Sequence, residues 1–317
     1  MSETGAAVIP ISAADDLEVV GTKARSLALL ELAGLPVPPG FVIPAAAYRE
    51  HVHRFGVDSL VAILRQVPSD APDLALSPIL QRIRAAITHG ELDPDFAAEV
   101  LQNFKSLEGH SVSVRSSVTE ADMPSGPLVG RHGTYFAGDS EAMLRSIKHC
   151  WASLWGNPVW AHRLHTHLSD VEVGVAVIVQ LLIPAASSGV VFTADPETGD
   201  RASIVIDSCF GLGEAIVAGT VPPDRFRLSS SRLNLLESEL HPKHVRLTIG
   251  EEGSVVQRMV APEFVHAPSL TEPEARMVAE LALRAESVVD GPAAVEFAIA
   301  DGKVWLLQAR PLVVGRA

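Results

Sequence analysis

Several residues in this sequence have the types and settings that bind phosphate and a hard cation. Lys23 follows Gly21-Thr22 and opens a helical pattern. A cation at a helix N-terminus opposes the helix dipole, and an anion bridging the two removes the conflict. Arg115 follows the alternating run Val112-Ser113-Val114 and precedes Ser116-Ser117, a setting that suits bidentate phosphate recognition. Ser187-Ser188-Gly189 is a small-residue turn whose backbone N–H groups can point at a phosphate. Further on, Glu296, Gln308 and Arg310 supply an acid, an amide and an arginine. Each feature also has a plain structural reading: an exposed lysine, an ion-paired arginine, a common turn, a solvated hairpin face.

The last group lies on Ala294–Pro311, which reads as a β-hairpin with an Asp301-Gly302 turn. Loop length decides which side chains meet, because a slip of one residue flips a face. A two-residue loop pairs position 296 with 307 and sends Glu296 and Gln308 to opposite faces. A three-residue loop, Ala300-Asp301-Gly302, pairs 294 with 308 and 296 with 306. Ala294, Glu296, Gln308 and Arg310 then share one face, and Val295, Phe297, Ile299, Trp305 and Leu307 the other. The second register segregates the large apolar residues better and is the expected one.

Positioning these residues takes a chain with a substantial core. The sequence has 317 residues, 47% of them hydrophobic, enough for two domains or one two-lobed one. Its net charge of -13 argues against non-specific nucleic-acid binding and against an anionic membrane surface, while leaving room for a local basic phosphate pocket. Cys150 and Cys209 lie far apart without metal-type spacing, which fits a reducing cytoplasm. Met1-Ser2-Glu3-Thr4 starts no signal-peptide pattern. The apolar stretch Gly174–Phe192 is interrupted by Gln180, Pro184 and Ser187-Ser188-Gly189 and reads as two buried strands, not a membrane helix.

Along the chain, Leu27, Leu30 and Ala33 share a helical face that Gly34 ends, and Phe41-Val42-Ile43 is a short strand. Residues from about 45 to 104 read as mostly helical, Ser111–Ser117 as a strand, and Thr119–Gly133 as a loop. The helical stretch near 140–168 carries Trp151, Trp155 and Trp160, expected in the core. His162, His165 and His167 cluster in it among polar residues and read as solvated surface. Strands follow at Val173–Ile183, Gly189–Thr193 and Ile204–Ile206. Gly211 and Gly213 with Glu214 match neither the Walker pattern nor a complete dinucleotide fingerprint. Thr271 with Glu274 makes a capping box for a helix to about Val289. Strands and helices mix without βαβ alternation, so the expected class is α+β. The expected division is 1–182 and 183–317.

In this order the segments resemble the ATP-binding domain of the phosphoenolpyruvate synthase, pyruvate phosphate dikinase and rifampin phosphotransferase family. The resemblance rests on Gly21–Leu27, Gly34–Ile43, Val114–Ser117, Gly130–Tyr135, Ser187–Thr193, Phe210–Glu214 and Leu307–Pro311. It departs at Thr22, where a second glycine is usual, and at Arg131-His132-Gly133, where polar and acidic residues are usual. The resemblance implies an ATP-grasp-like two-lobed fold with the nucleotide between the lobes, and ATP and Mg2+ as cofactors. Lys23 and Arg115 would hold phosphates and, with Arg310, carry the catalysis. Gln180-Leu181-Leu182 would form the adenine-side hinge, although a lysine is usual at Leu181. Gly130 and Thr134 would belong to the lid, and Ser188 and Gly189 to the nucleotide site. Glu296 and Gln308 would bind magnesium, and Arg310 would contact phosphate.

Several relatives carry an acid where Ala294 stands, so one possible metal ligand is missing here. The phosphohistidine segment and acceptor domain of family dikinases are absent from this sequence. The expected activity is therefore Mg-ATP cleavage to AMP and phosphate, with a phosphoryl group passed to a histidine on a separate domain or protein. The alternatives are a stand-alone kinase or ligase-like enzyme acting on a small acceptor, and a nucleotide-binding module with weak or no catalysis. Neither nucleic acid nor membrane is an expected partner.

Overall fold

The computed structural model describes residues 8–67, 73–107, 111–119, 133–157, 159–160 and 174–314. Gly130 and the histidines at 162, 165 and 167 lie outside the described residues. The chain is α+β and divides into two compact units, one of residues 1–25 and 39–181, the other of 26–38 and 182–317. The apolar stretch around Gln180 is shared between them: its first strand belongs to the sheet of one unit and its second to the sheet of the other. Among the described residues, no helix is long and apolar enough to cross a membrane.

In the first unit, β1 (Ile9–Pro10), β2 (Gly40–Ile43), β3 (Val112–Val118), β4 (Thr134–Ala137) and β5 (Val175–Leu181) form an antiparallel sheet in the order β1-β2-β5-β3-β4. Period-two alternation gives each strand two different faces. Val112, Val114 and Val118 of β3 join Phe41, Ile43, Val175, Val177 and Val179 in the core. Helices α2 (Ala45–Arg54), α3 (Val57–Leu64), α4 (Asp73–His89), α5 (Pro94–Ser106) and α6 (Ser140–Ser153) supply the rest of it. Trp151, Trp155 and Trp160 are buried in this core, and the Trp155 indole N–H donates to the Tyr48 hydroxyl at 3.0 Å. By the same alternation Ser113, Arg115 and Ser117 occupy the opposite face of β3.

The first helix, α1 (Leu17–Leu32), is broken at Gly21, where φ is 76° and ψ is 173°. Its face is carried by buried Ala24, Leu27, Ala28 and Leu30; Ala33 lies beyond its end and is exposed. Gly34, at φ 68°, ends it as expected.

The second unit is built on β6 (Ser187–Phe192), β7 (Ser203–Phe210), β8 (Asp224–Ser229), β9 (Leu235–Glu239), β12 (Ala293–Ala300) and β13 (Lys303–Pro311), ordered β13-β12-β6-β7-β8-β9 and antiparallel throughout. A separate hairpin pairs β10 (Val245–Ile249) with β11 (Val255–Met259), and α7 (Glu214–Val217) is a single turn. Helix α8 (Glu272–Val289) packs on β12 and β13. Its buried residues Ala275, Val278, Ala279, Ala282 and Ala285 are small, which lets helix and sheet approach closely. The Thr271/Glu274 capping box starts it, as the sequence predicts. On the free edge of the sheet, Leu306 N–H donates to Pro36 O at 2.8 Å, so residues 26–38 help cover that edge.

The hairpin closes differently from expectation. Asp301 and Gly302 both have positive φ, at 50° and 71°, and Ala300 pairs with Lys303. This is the two-residue loop that Asp-Gly favours, because both central residues must accept left-handed backbone. The register then shifts between Glu296 and Phe297: Phe297 pairs with Leu306, but Glu296 pairs with Gln308. Leu307 is the extra residue of a β-bulge. The shared face of Ala294, Glu296, Gln308 and Arg310 is therefore real, but a bulge produces it and not a longer turn. Trp305 is also corrected: opposite Ala298, it lies on the Glu296 face, with Lys303 Nζ 3.4 Å from its ring centroid. Val304 and Leu306 take the core positions.

Candidate functional site

In the first unit, the break at Gly21 restarts the helix directly before Lys23. A Cβ at position 21 would lie 2.5 Å from Val118 O and 2.6 Å from Ser117 Oγ, so the backbone passes there only as glycine. Ser117, near the end of β3, caps the restarted helix from a distant segment by accepting from Ala24 N–H at 3.1 Å. Lys23 is thereby held in the first turn beside the strand that carries Arg115. Its charge reaches Cys150: burial pushes that thiol far above its usual range, and Lys23 pulls in the opposite direction.

Arg115 is 7% exposed and Gln180 is 1% exposed. Arg115 Nη2 donates to Gln180 Oε1 at 2.5 Å. Gln180, expected on the adenine side, thus uses its side-chain oxygen to hold Arg115. Thr134, expected in the lid, stands directly opposite Arg115 across β3–β4. Leu181 N–H donates to Pro39 O at 2.9 Å, and Leu181 and Leu182 are both partly exposed.

In the second unit, Glu296 faces Gln308 and Ala294 faces Arg310 across β12–β13. Glu296 and Gln308 are partly exposed, Arg310 is exposed, and Ala294 is 3% exposed. On the other side of β12, Ser188 pairs with Ala298 and Gly189 with Phe297. Ser188 Oγ donates to Gly211 O at 2.5 Å. Ser187-Ser188-Gly189, expected as a turn, is instead the start of β6, between β12 and β7 and paired with both. A Cβ at Gly189 would fall 2.0 Å from Asp207 O, so this strand requires glycine for close approach.

Sequence reasoning gave little weight to Glu214. Its carboxyl is held above the ordinary range by burial first and by the charge of Glu296 second. Glu214 lies within electrostatic range of Glu296, and Glu296 with its cross-strand partner Gln308 offers hard oxygen donors. Such donors fit Mg2+, which takes one or two carboxylates and completes its shell with water and substrate phosphate. Among the described residues, no group of three or more His, Cys, Asp or Glu could hold a metal. A Glu296–Gln308 site shared with phosphate needs no such group. The signal for Glu214 was its place behind Gly211-Leu212-Gly213.

A cavity of about 130 Å³ lined by Arg225, Arg227, Glu237 and Glu239 lies on β8–β9, away from these residues. Its arginines are already ion-paired, Arg225 to Asp207 at 2.8 Å and Arg227 to Asp195 at 2.7 Å.

Residues 17–317 match the family model of the pyruvate phosphate dikinase AMP/ATP-binding domain. The chain belongs to this family. A probable phosphoenolpyruvate synthase of Methanothermobacter thermautotrophicus is 32% identical over 305 residues, covering 94% of this chain and 44% of the relative. The prodigiosin synthesizing transferase PigC of Serratia marcescens is 35% identical over 297 residues, covering 92% and 31%. A phosphoenolpyruvate synthase of Aeropyrum pernix is 32% identical over 337 residues, covering 95% and 41%. The chain thus spans less than half the length of these relatives. The solved D-alanine–D-alanine ligase of Bacillus anthracis aligns over 96% of this chain and 59% of its own, with 8% identity and a TM-score of 0.37, a likeness that carries no argument about fold.

Proposed function

We propose that this chain is the Mg-ATP-binding component of a dikinase-type phosphotransferase, its two units being the lobes of an ATP-grasp-like fold. It cleaves ATP to AMP and phosphate and passes a phosphoryl group to a histidine on a separate domain or protein. The observation that carries the reading is the single face of β12–β13 that holds Glu296, Gln308 and Arg310 in a chain of this family. Glu296 and Gln308 hold magnesium, which when bound neutralises phosphate charge and orients the phosphates. Arg310 stabilises the transferring phosphoryl group. In the first unit Lys23 and Arg115 bind phosphate oxygens, and Gln180 keeps the Arg115 guanidinium in place. Thr134 belongs to the lid, Leu181 and Leu182 to the adenine side, and Ser188 and Gly189, at the start of β6, to the phosphate side. Phosphoryl transfer asks the protein for position and charge and for no protein nucleophile of its own. Two buried free thiols, Cys150 and Cys209, suit a cytoplasmic location.

A second reading, direct transfer to a small acceptor, is favoured by one relative being named a prodigiosin synthesizing transferase and not a phosphoenolpyruvate synthase. The deciding experiment is a nucleotide-product assay on the purified protein. AMP formed only with a phosphohistidine-domain protein supports the dikinase reading. ADP or AMP formed with a small acceptor alone supports the second. Mg-ATP binding without turnover under either condition makes the chain a binding module.

A further inference from the structure

Lys243 and Asp224 are both fully buried, with side-chain exposure of 0% each, and belong to none of the groups assigned above. Asp224 Oδ1 accepts from Lys243 Nζ at 2.6 Å and from His241 N–H at 2.9 Å, and Oδ2 accepts from Ser269 N–H at 2.7 Å. Lys243 Nζ also donates to His241 O at 2.8 Å and stands 5.4 Å from the Phe210 ring centroid. Ser269 extends the network. Its hydroxyl bonds Ser208 Oγ at 2.6 Å, and its carbonyl accepts from Ser187 Oγ at 2.6 Å. The hub therefore reaches β6 at Ser187 and the end of β7 at Ser208 and Phe210. Ser188, Gly189 and Glu214 lie on the segments that continue from those points.

Those segments are also tied to each other. Gly211 N–H donates to Ala186 O at 2.8 Å, Leu212 N–H to Leu247 O at 2.9 Å, and Ser188 Oγ to Gly211 O. A buried ion pair is a poor way to add stability, since desolvation offsets much of the attraction and apolar replacements of both partners are often neutral or better. Its advantage is directional. Two charges tied to several backbone and side-chain partners restrict how the chains around them can be arranged.

We propose that Lys243 and Asp224 are positioning residues that hold the Phe210–Glu214 loop and the first residues of β6, Ser187–Gly189, in the geometry required to bind Mg-ATP. The proposal rests on the nucleotide reading above. The test is the full chain carrying Lys243→Met together with Asp224→Asn, which removes both charges at nearly constant volume. Two quantities are read: Mg-ATP affinity by calorimetry, and hydrogen exchange at the Gly211 and Leu212 amides without nucleotide. Affinity is expected to weaken by about 10-fold or more, the scale of loss when a group that positions binding residues from behind is removed. Exchange at those two amides accelerates, while β12 and β13 exchange at the wild-type rate. A folded variant with wild-type affinity overturns the proposal, and so does weakened affinity without faster exchange at Gly211 and Leu212. If the double variant does not fold, Ser269→Ala, which severs only the hydroxyl link to Ser208, is read in the same two ways. Wild-type protein that binds no Mg-ATP would defeat the nucleotide reading, and the exchange comparison would still decide whether the hub holds the loop.

Discussion

Glu296 stands directly opposite Gln308, one step beyond the bulge at Leu307, and that pairing turns an ordinary hairpin into a candidate metal site. Without the extra residue opposite the Glu296/Phe297 step, Glu296 would meet Leu307, and Gln308 would fall on the opposite face, with buried Val295 and Phe297. The same shift places Arg310 opposite Ala294. Bulges recur beside functional sites because they re-aim side chains without breaking the sheet.

Arg310→Ala should lower ATP turnover by about 100-fold or more, the usual scale for losing one group that stabilises transition-state charge. Arg310 is exposed at the end of β13, so stability should change by no more than about 0.5 kcal/mol. Product formation and a denaturant titration measure the two. A folded variant with full turnover removes this arginine from the mechanism.

Ala294→Asp should lower the magnesium concentration needed for half-maximal nucleotide binding. The new carboxylate would share the Glu296 face and lie opposite Arg310, so part of its charge is directed at that guanidinium. The readout is a magnesium titration of wild type and variant. An unchanged midpoint means that position 294 does not reach the metal.

Gly21→Ala should destabilise the fold by about 3 kcal/mol, since its backbone lies where non-glycine residues are strained and the new Cβ would overlap a carbonyl oxygen. Gly34→Ala is the comparison: φ is 68° there, but nothing lies within 4 Å of the new atom, so only the backbone cost of about 1 kcal/mol applies. Urea titration of both variants separates close approach from backbone conformation. Equal losses would mean that the Ser117–Val118 contact does not constrain Gly21.

Glu214 gives the protein a pH dependence of known sign. Its carboxyl is held high in the folded state by burial and by Glu296, so the folded chain keeps this proton more tightly than the unfolded one. The resulting stability is present below the unfolded value of about 4.3 and is lost as pH rises through the higher folded value. In metal-free protein, Glu214→Gln should therefore gain melting temperature relative to wild type as pH rises from that point, and magnesium should narrow the gap. Melting curves across this range test it, and a difference independent of pH would show that Glu214 is not under strain.

What the sequence determined by itself was whatever periodicity and local chemistry encode. Alternation in Val112–Val118 set Arg115 and Ser117 on one face, Thr271 with Glu274 started α8, and Asp301-Gly302 marked the turn. The common face of Glu296, Gln308 and Arg310 was also legible, because a single large-apolar face is what a half-buried hairpin must present. Its cause was not, since a longer loop and a bulge satisfy the same pattern and only the Asp-Gly backbone in its folded setting chooses. Tertiary structure decided the contacts between distant segments. Arg115 and Gln180 are 65 residues apart, and Ser187 and Ser269 are 82 apart. Glu214 approaches Glu296 from another strand connection altogether. No local preference marks such partners: they meet only after strand order brings their segments together, and burial then turns proximity into a shifted carboxyl or a closed network.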